Sequence, residues 1–219
     1  MFIAGQIDLF FLALATRLSK GGWQAAVSGA LITLKPQLAF ILLPWFLARW
    51  LVADRRTLAR FAGASAILHA APLLYDPAIY TKWFERISLL SGRRTMGAPG
   101  LFGLTSHGVP ETYIYVVAGL ILALVGLAGA LNILPERRVR PWLALIDPAI
   151  MQYDLVLLID TAPWYVLLPV SWLTIPLVLW LKSPLPFALM PLAAIVWQAL
   201  AAASERSPDV AISYHVRYD

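Results

Sequence analysis

Apolar residues in this chain come in long runs that do not alternate with polar ones. Eight stretches stand out: Met1–Ala15, Trp23–Leu34, Gln37–Ala48, Leu58–Leu74, Tyr113–Leu134, Trp142–Ile159, Trp164–Leu181 and Leu185–Ala203. A strand of a membrane barrel alternates between lipid-facing and lumen-facing residues, and none of these runs does. The pattern predicts an all-α, polytopic transmembrane helical bundle. A full crossing takes about 20 residues, so the shorter stretches cannot all be simple spans.

Basic clusters punctuate the runs. Arg17 and Lys20 follow the first; Arg49, Arg55, Arg56 and Arg60 surround Asp54; Arg137, Arg138 and Arg140 follow Glu136. The bias of Lys and Arg toward cytoplasmic loops places all three clusters on one side. Leu58–Leu74 and Tyr113–Leu134 then run out and back, leaving 75–112 as an outer loop. Trp23–Ala48 is harder. One straight span would put Arg17 and the Arg49–Arg60 cluster on opposite faces. Two half-helices broken at Lys35-Pro36 would return to the side they left, each rising only about 18–20 Å. Two readings stand open: a re-entrant or sharply broken helix pair, and one long kinked span. Pro36 disfavours helix at the residue before it. A lysine at membrane depth costs a few kcal/mol (about 2.5–3.5 on insertion scales) unless it is paired or wet. Both features point to a polar cavity within the membrane.

The outer loop has its own signals. Asp76-Pro77 reads as a helix cap followed by Pro at the first position. Ile79, Tyr80, Trp83, Phe84 and Ile87 then share one face, which predicts an amphipathic helix in the membrane surface ending near Gly92. A Gly/Pro-rich loop follows and brings Arg93, Arg94 and His107 to the outer face.

Composition agrees with this picture. The chain has 219 residues, is 60% hydrophobic and has a mean hydropathy of +0.74; soluble domains are about 45–50% apolar. Nine Trp and eight Tyr suit membrane interfaces. Cysteine is absent, which removes disulfides and thiolate metal sites. The net charge of +5 sits in short flanks of apolar runs, a membrane-topology pattern that excludes nucleic acid as partner. Residues 1–203 form one transmembrane domain and 204–219 a polar tail. P-loop, GxGxxG and HExxH motifs are missing.

Candidate chemistry therefore rests on polar groups in apolar runs: Gln6 and Asp8 in "AGQIDLF", Lys35 and Gln37 in "LKPQL", and Asp147, Gln152, Tyr153 and Asp154 in "LIDPAIMQYDLVLL". Intramembrane ionisable groups are functional candidates, usually paired. Each also has a structural reading. Asp147-Pro148 has the form of a helix cap, Asp154 could neutralise Lys35, Gln6 could bond a neighbouring helix, and Arg93, Arg94 and His107 could serve the loop alone. No cofactor is evident. Asp76 and Asp160 are the carboxylates expected near the outer face, and their spacing neither requires nor forbids a divalent metal.

"AGQIDLFFLALA", "AVSGALITLKPQLAFILLPWFLA" and "DPAIMQYDLVLL" together resemble the multi-span GT-C enzymes of glycosyltransferase family 87. Gly5 and Gln6 match a GQ-starting helix, Lys35, Pro36 and Gln37 a K-P-Q break, and Pro148, Tyr153 and Asp154 a late P…YDL segment. The resemblance implies a transferase in the cytoplasmic membrane. It would move a hexose, mannose in the first instance, from a polyprenyl-phosphate donor to an acceptor on the outer face. In that reading Lys35 contacts the donor phosphate, with Gln37, Gln6, Arg93, Arg94 and His107 around it and Tyr153, Asp154 and Asp8 as polar support. The family's acidic catalytic residue lies on an outer loop upstream of the GQ helix, and this chain begins at that helix. The expectation is thus a C-terminal portion whose catalytic residue is unknown. Asp147 stands where the family has Thr or Ser, and only Pro141–Ile146 separates "RRVR" from it, so a shortened helix is expected there. The alternative is a non-catalytic polytopic protein: a lipid-binding protein, flippase or scaffold.

Overall fold

The computed structural model describes residues 2–83, 85, 100–147, 157–183 and 185–205. Among them there are helices and no strand. They are α1 (Phe2–Leu18), α2 (Gly22–Ile32), α3 (Pro36–Ala53), α4 (Arg55–Tyr75), a 3₁₀ helix (Gly100–His107), α5 (Glu111–Leu131), α6 (Glu136–Ile146), α7 (Trp164–Leu181), a 3₁₀ turn (Leu185–Ala188) and α8 (Leu189–Glu205). Five segments among the described residues are long and apolar enough to cross a membrane: α3, α4, α5, α7 and Leu185–Ser204. The chain is an all-α, multi-pass membrane protein. Large apolar side chains face outward along the spans, among them Ile67, Leu124, Trp172 and Leu179, as lipid-facing surfaces require.

Trp23–Ala48 folds as a helix hairpin. Gly22 N–H donates to Thr57 Oγ1 at 2.7 Å, so α2 starts beside the start of α4. Thr33 Oγ1 lies 2.8 Å from His69 Nε2, so α2 also ends beside α4, further along it. The two helices are parallel. α3 must therefore run back from the tip, because its last residue leads through Asp54 directly into α4. Arg17, Lys20, Arg55, Arg56 and Arg60 all gather at the base of this hairpin. The charge bias and the fold agree, and the straight-span reading is set aside. Gly21 and Gly22, at φ +69° and +61°, make the sharp entry into α2 that a Cβ would strain.

α3 is the central helix. It buries Leu38, Ile41, Leu42, Phe46 and Trp50 against α1, α2, α4, α5 and α6. In lipid this burial gains little by transfer, since lipid tails are as apolar as leucine; close packing holds the helices. Small residues do that work on α2, where Ala25, Ala26, Ser28, Gly29 and Ala30 are buried. A Cβ on Gly29 would stand 2.9 Å from the Phe61 ring of α4. On the other side α5 crosses α3 at Gly129, where a Cβ would run into the Trp45 carbonyl. Trp45 Nε1 then donates to Leu134 O at 3.0 Å and fixes the end of α5.

One expected run is not a single helix. Helix α6 begins at Glu136, ahead of the arginines, and ends at Ile146; residues 157–163 are turns, and 148–156 lie outside the described residues. The "ERRVR" sequence is the first half of a helix whose apolar side packs inward, not a loop between spans. Asp147 closes α6 in extended backbone (φ −74°, ψ 118°), as the residue before a proline does.

Candidate functional site

The hairpin tip is built by one proline. Thr33 still has helical dihedrals, but Lys35 is extended at φ −119°, ψ 89° because Pro36 follows it. Pro36 takes the first position of α3, where its missing N–H is no loss. The turn satisfies its own donors: Leu34 N–H bonds Leu31 O and Lys35 N–H bonds Ile32 O, both at 3.1 Å. The Lys35 carbonyl accepts from Leu38 and Ala39, each at 3.0 Å, and opens α3. Lys35 is half-buried and engaged within the fold. Gln37 is half-buried on the first turn of α3, and its amide makes no hydrogen bond among the described residues.

Depth follows from α4. His69, which meets the tip, stands fourteen residues past Arg55, about 21 Å along the axis. It is six residues, about 9 Å, short of Tyr75. The break therefore lies within the length of the bundle and not at its far end.

His69 was not singled out by sequence reasoning, yet it is the hub of the tip. Nε2 faces Thr33 Oγ1 at 2.8 Å and Nδ1 faces Tyr80 Oη at 3.1 Å. Both hydroxyls also lie on backbone carbonyls: Thr33 donates to Ala30 O at 2.6 Å and Tyr80 to His69 O at 2.7 Å. A neutral imidazole has one N–H, so one hydroxyl must share its proton between ring and carbonyl. One turn nearer the base, Ser65 Oγ is buried with no hydrogen-bond partner among the described residues. The signal for His69 was a lone imidazole inside the Leu58–Leu74 run. Tyr80 reaches back to it because Asp76 turns the chain: Ala78 N–H donates to Asp76 Oδ1 at 3.0 Å, and residues 79–83 are helical. This bears out the cap expected at Asp76. Lys82 donates to Asp76 Oδ2 at 2.7 Å, and that bond, followed by the Ala78 amide, holds the Asp76 carboxyl below its ordinary value.

The remaining expected site residues divide. Arg93, Arg94, Gln152, Tyr153 and Asp154 lie outside the described residues. Gln6 and Asp8 sit on α1, and their side chains also lie outside the description. His107 is exposed and its ring faces Ser183 Oγ at 3.3 Å; its 3₁₀ helix packs on α6 and the Leu185–Ala188 turn. His107 is not among the partners of the tip. Asp160 is not brought to the hairpin tip or to Asp76. It accepts from Arg140 at 2.6 Å, beside the basic residues of α6. Among the described residues no three His, Asp or Glu are grouped as metal ligands.

Arg140 is the second polar centre. It is 4% exposed. Glu136 takes a two-pronged bond from it at 2.8 and 2.7 Å, and Leu157 O and Asp160 Oδ1 accept from Nη1 at 2.7 and 2.6 Å. Burial works against its charge, but Glu136 and then Asp160 outweigh that and hold the guanidinium above its ordinary value. This centre ties α6 to the turn before α7.

Family models, curated proteins and solved structures give no match to this chain.

Proposed function

We propose that this chain is the membrane-embedded part of a GT-C hexosyltransferase, binding a polyprenyl-phosphate sugar at the α2–α3 tip. Lys35 provides the cation for the donor phosphate and Gln37 an amide for the same head group. In the transfer, an acceptor hydroxyl attacks the anomeric carbon, the sugar–phosphate bond breaks, polyprenyl phosphate leaves, and a carboxylate takes the hydroxyl proton. The resemblance puts that carboxylate on a loop preceding Gly5. The observation that carries the proposal is the half-buried amide of Gln37, without a hydrogen bond among the described residues, next to a lysine at a chain break inside the bundle.

The test is binding of polyprenyl-phosphate-mannose to the chain in lipid nanodiscs. Lys35→Ala should weaken binding at least tenfold, and Gln37→Leu should weaken it less. Unchanged affinity in Lys35→Ala removes the assignment. A second reading, a non-catalytic lipid-binding, flippase or scaffold protein, is favoured by His69: both its nitrogens are engaged by Thr33 and Tyr80, which suits support better than proton transfer. Sugar transfer with release of polyprenyl phosphate by a protein that carries the preceding acidic loop joined to this chain would decide for the enzyme; tight binding with no transfer by that joined protein in the presence of acceptor would decide for the second reading.

A further inference from the structure

A second candidate site lies at the junction of α6, α7 and α8, independent of the hairpin tip. A cavity of about 400 Å³ opens there, lined by Arg137 and Arg138 of α6, Asp160 and Thr161 of the turn before α7, and Trp197 and Gln198 of α8. Its neutral polar groups are already occupied. Gln198 Nε2 donates to Thr161 O at 3.0 Å and Arg137 O at 3.3 Å, and Thr161 Oγ1 donates to Leu158 O at 2.6 Å. The Asp160 carboxylate is held by Arg140. Among the described residues Arg137 and Arg138 have no ion-pair partner. The lining carries three charges, Arg137 and Arg138 against Asp160, a net +1.

Trp197 also lines a second cavity, of about 450 Å³, and this one is apolar. It is a groove between α7 and α8 walled by Val166, Val170, Leu173 and Leu177 on one side and Leu192 and Val196 on the other. From Val166 to Leu177 is eleven residues, about 16 Å. One leaflet of a hydrocarbon core about 30 Å thick is about 15 Å deep. The basic cavity and the apolar groove thus meet at one indole, the side chain suited to the boundary between wet and dry.

We propose that this pair of cavities holds one anionic glycerophospholipid of the surrounding bilayer. Its phosphate lies against Arg137 and Arg138 and one acyl chain lies in the α7–α8 groove. Guanidinium forks match phosphate oxygens, and basic pockets between membrane helices recognise anionic head groups. Basic residues that only set topology need no cavity, and no groove leading out of it.

The test uses the whole chain in detergent, with native mass spectrometry counting bound lipid. Phosphatidylglycerol and phosphatidylcholine with identical acyl chains are the probes. Phosphatidylglycerol should bind at least tenfold tighter, and Arg137→Gln with Arg138→Gln should abolish that preference. Arg55→Gln with Arg56→Gln removes equal charge from the hairpin base and should leave it intact. Ala193→Phe, which fills the groove, should weaken both lipids. Equal binding of the two lipids by the wild type would overturn the proposal without any variant. So would an equal loss in the Arg55/Arg56 variant, which would mean diffuse charge attraction, or full competition by inorganic phosphate, which would mean a free anion site.

Discussion

Arg140 and Lys35 are both cations drawn into apolar surroundings, and the fold treats them differently. Arg140 sits in the first half of an amphipathic helix, 4% exposed, with Glu136, Asp160 and a backbone carbonyl taking its donors. Lys35 is half-buried and is itself the extended residue at a chain break. The first is saturated by the protein. The second lies beside an amide without a hydrogen bond among the described residues and a proline that keeps the backbone open. A fully buried cation organises structure, whereas a half-buried one at a chain break, though engaged within the fold, can also reach a ligand.

The sharpest way to break this contrast is to remove each cation. Arg140→Ala leaves the largely buried Glu136 carboxylate against a void, while the half-exposed Asp160 turns to solvent, so unfolding by denaturant titration in detergent should show a loss of about 3 kcal/mol. Lys35→Ala should lose no more than about 1 kcal/mol. If the two losses match, Lys35 is a structural ion as well, and the donor-binding proposal loses its physical basis.

The depth of Lys35 depends on the base of the hairpin, which gives the next test. Thr57 is fully buried; its hydroxyl accepts from Gly22 N–H at 2.7 Å and donates to Asp54 Oδ2 at 2.6 Å. Thr57→Val keeps the shape and strands the Gly22 donor, at about 1–3 kcal/mol. If the base fixes the tip, this variant should also weaken donor binding, although Thr57 is remote from it. A stability loss with intact donor binding would mean that the tip is held by His69 alone. That arm has its own variant. Tyr80→Phe removes both contacts of that hydroxyl with His69, to the ring and to the carbonyl, and should lower stability by about 1–2 kcal/mol, read in the same titration.

Much of the architecture was legible because lipid imposes a simple rule: apolar runs are helices, and basic flanks share a side. The hairpin is one of two readings the sequence leaves open, favoured by two clues of different kind, a proline that stops α2 and two basic clusters on one side, and the fold decides for it. The role of Arg140 is hidden in the sequence for a physical reason. Basic residues beside an apolar run usually mark topology, and the pairing that buries this one joins residues twenty apart through a turn. The pairing of Asp160 is hidden in the sequence for the same reason. His69 was passed over because a single imidazole in an apolar run has no motif; only the return of the chain at Asp76 shows its second partner. Gln37, by contrast, was legible beside Lys35, since both flank the same proline.

The smallest effect concerns Asp54, which links the returning α3 to the departing α4. Its carboxylate accepts from Thr57 Oγ1 and from Thr57 N–H, and those bonds, with Arg60 and Arg56 nearby, hold it below its ordinary value of 3.8. A carboxyl whose value is depressed by folding stabilises the fold above the unfolded value, and that contribution fades as pH falls through the lower folded value. Asp54→Asn keeps a good helix cap and removes only the charge. At neutral pH the wild type should be the more stable, by less than about 1 kcal/mol, because the group is solvent-screened. Acidification below 3.8 should close that gap, since the wild type then loses the same charge. A gap that widens in acid would reverse the sign and show that Asp54 is held protonated, which the arginines of the hairpin base could not allow if they gather where the fold places them.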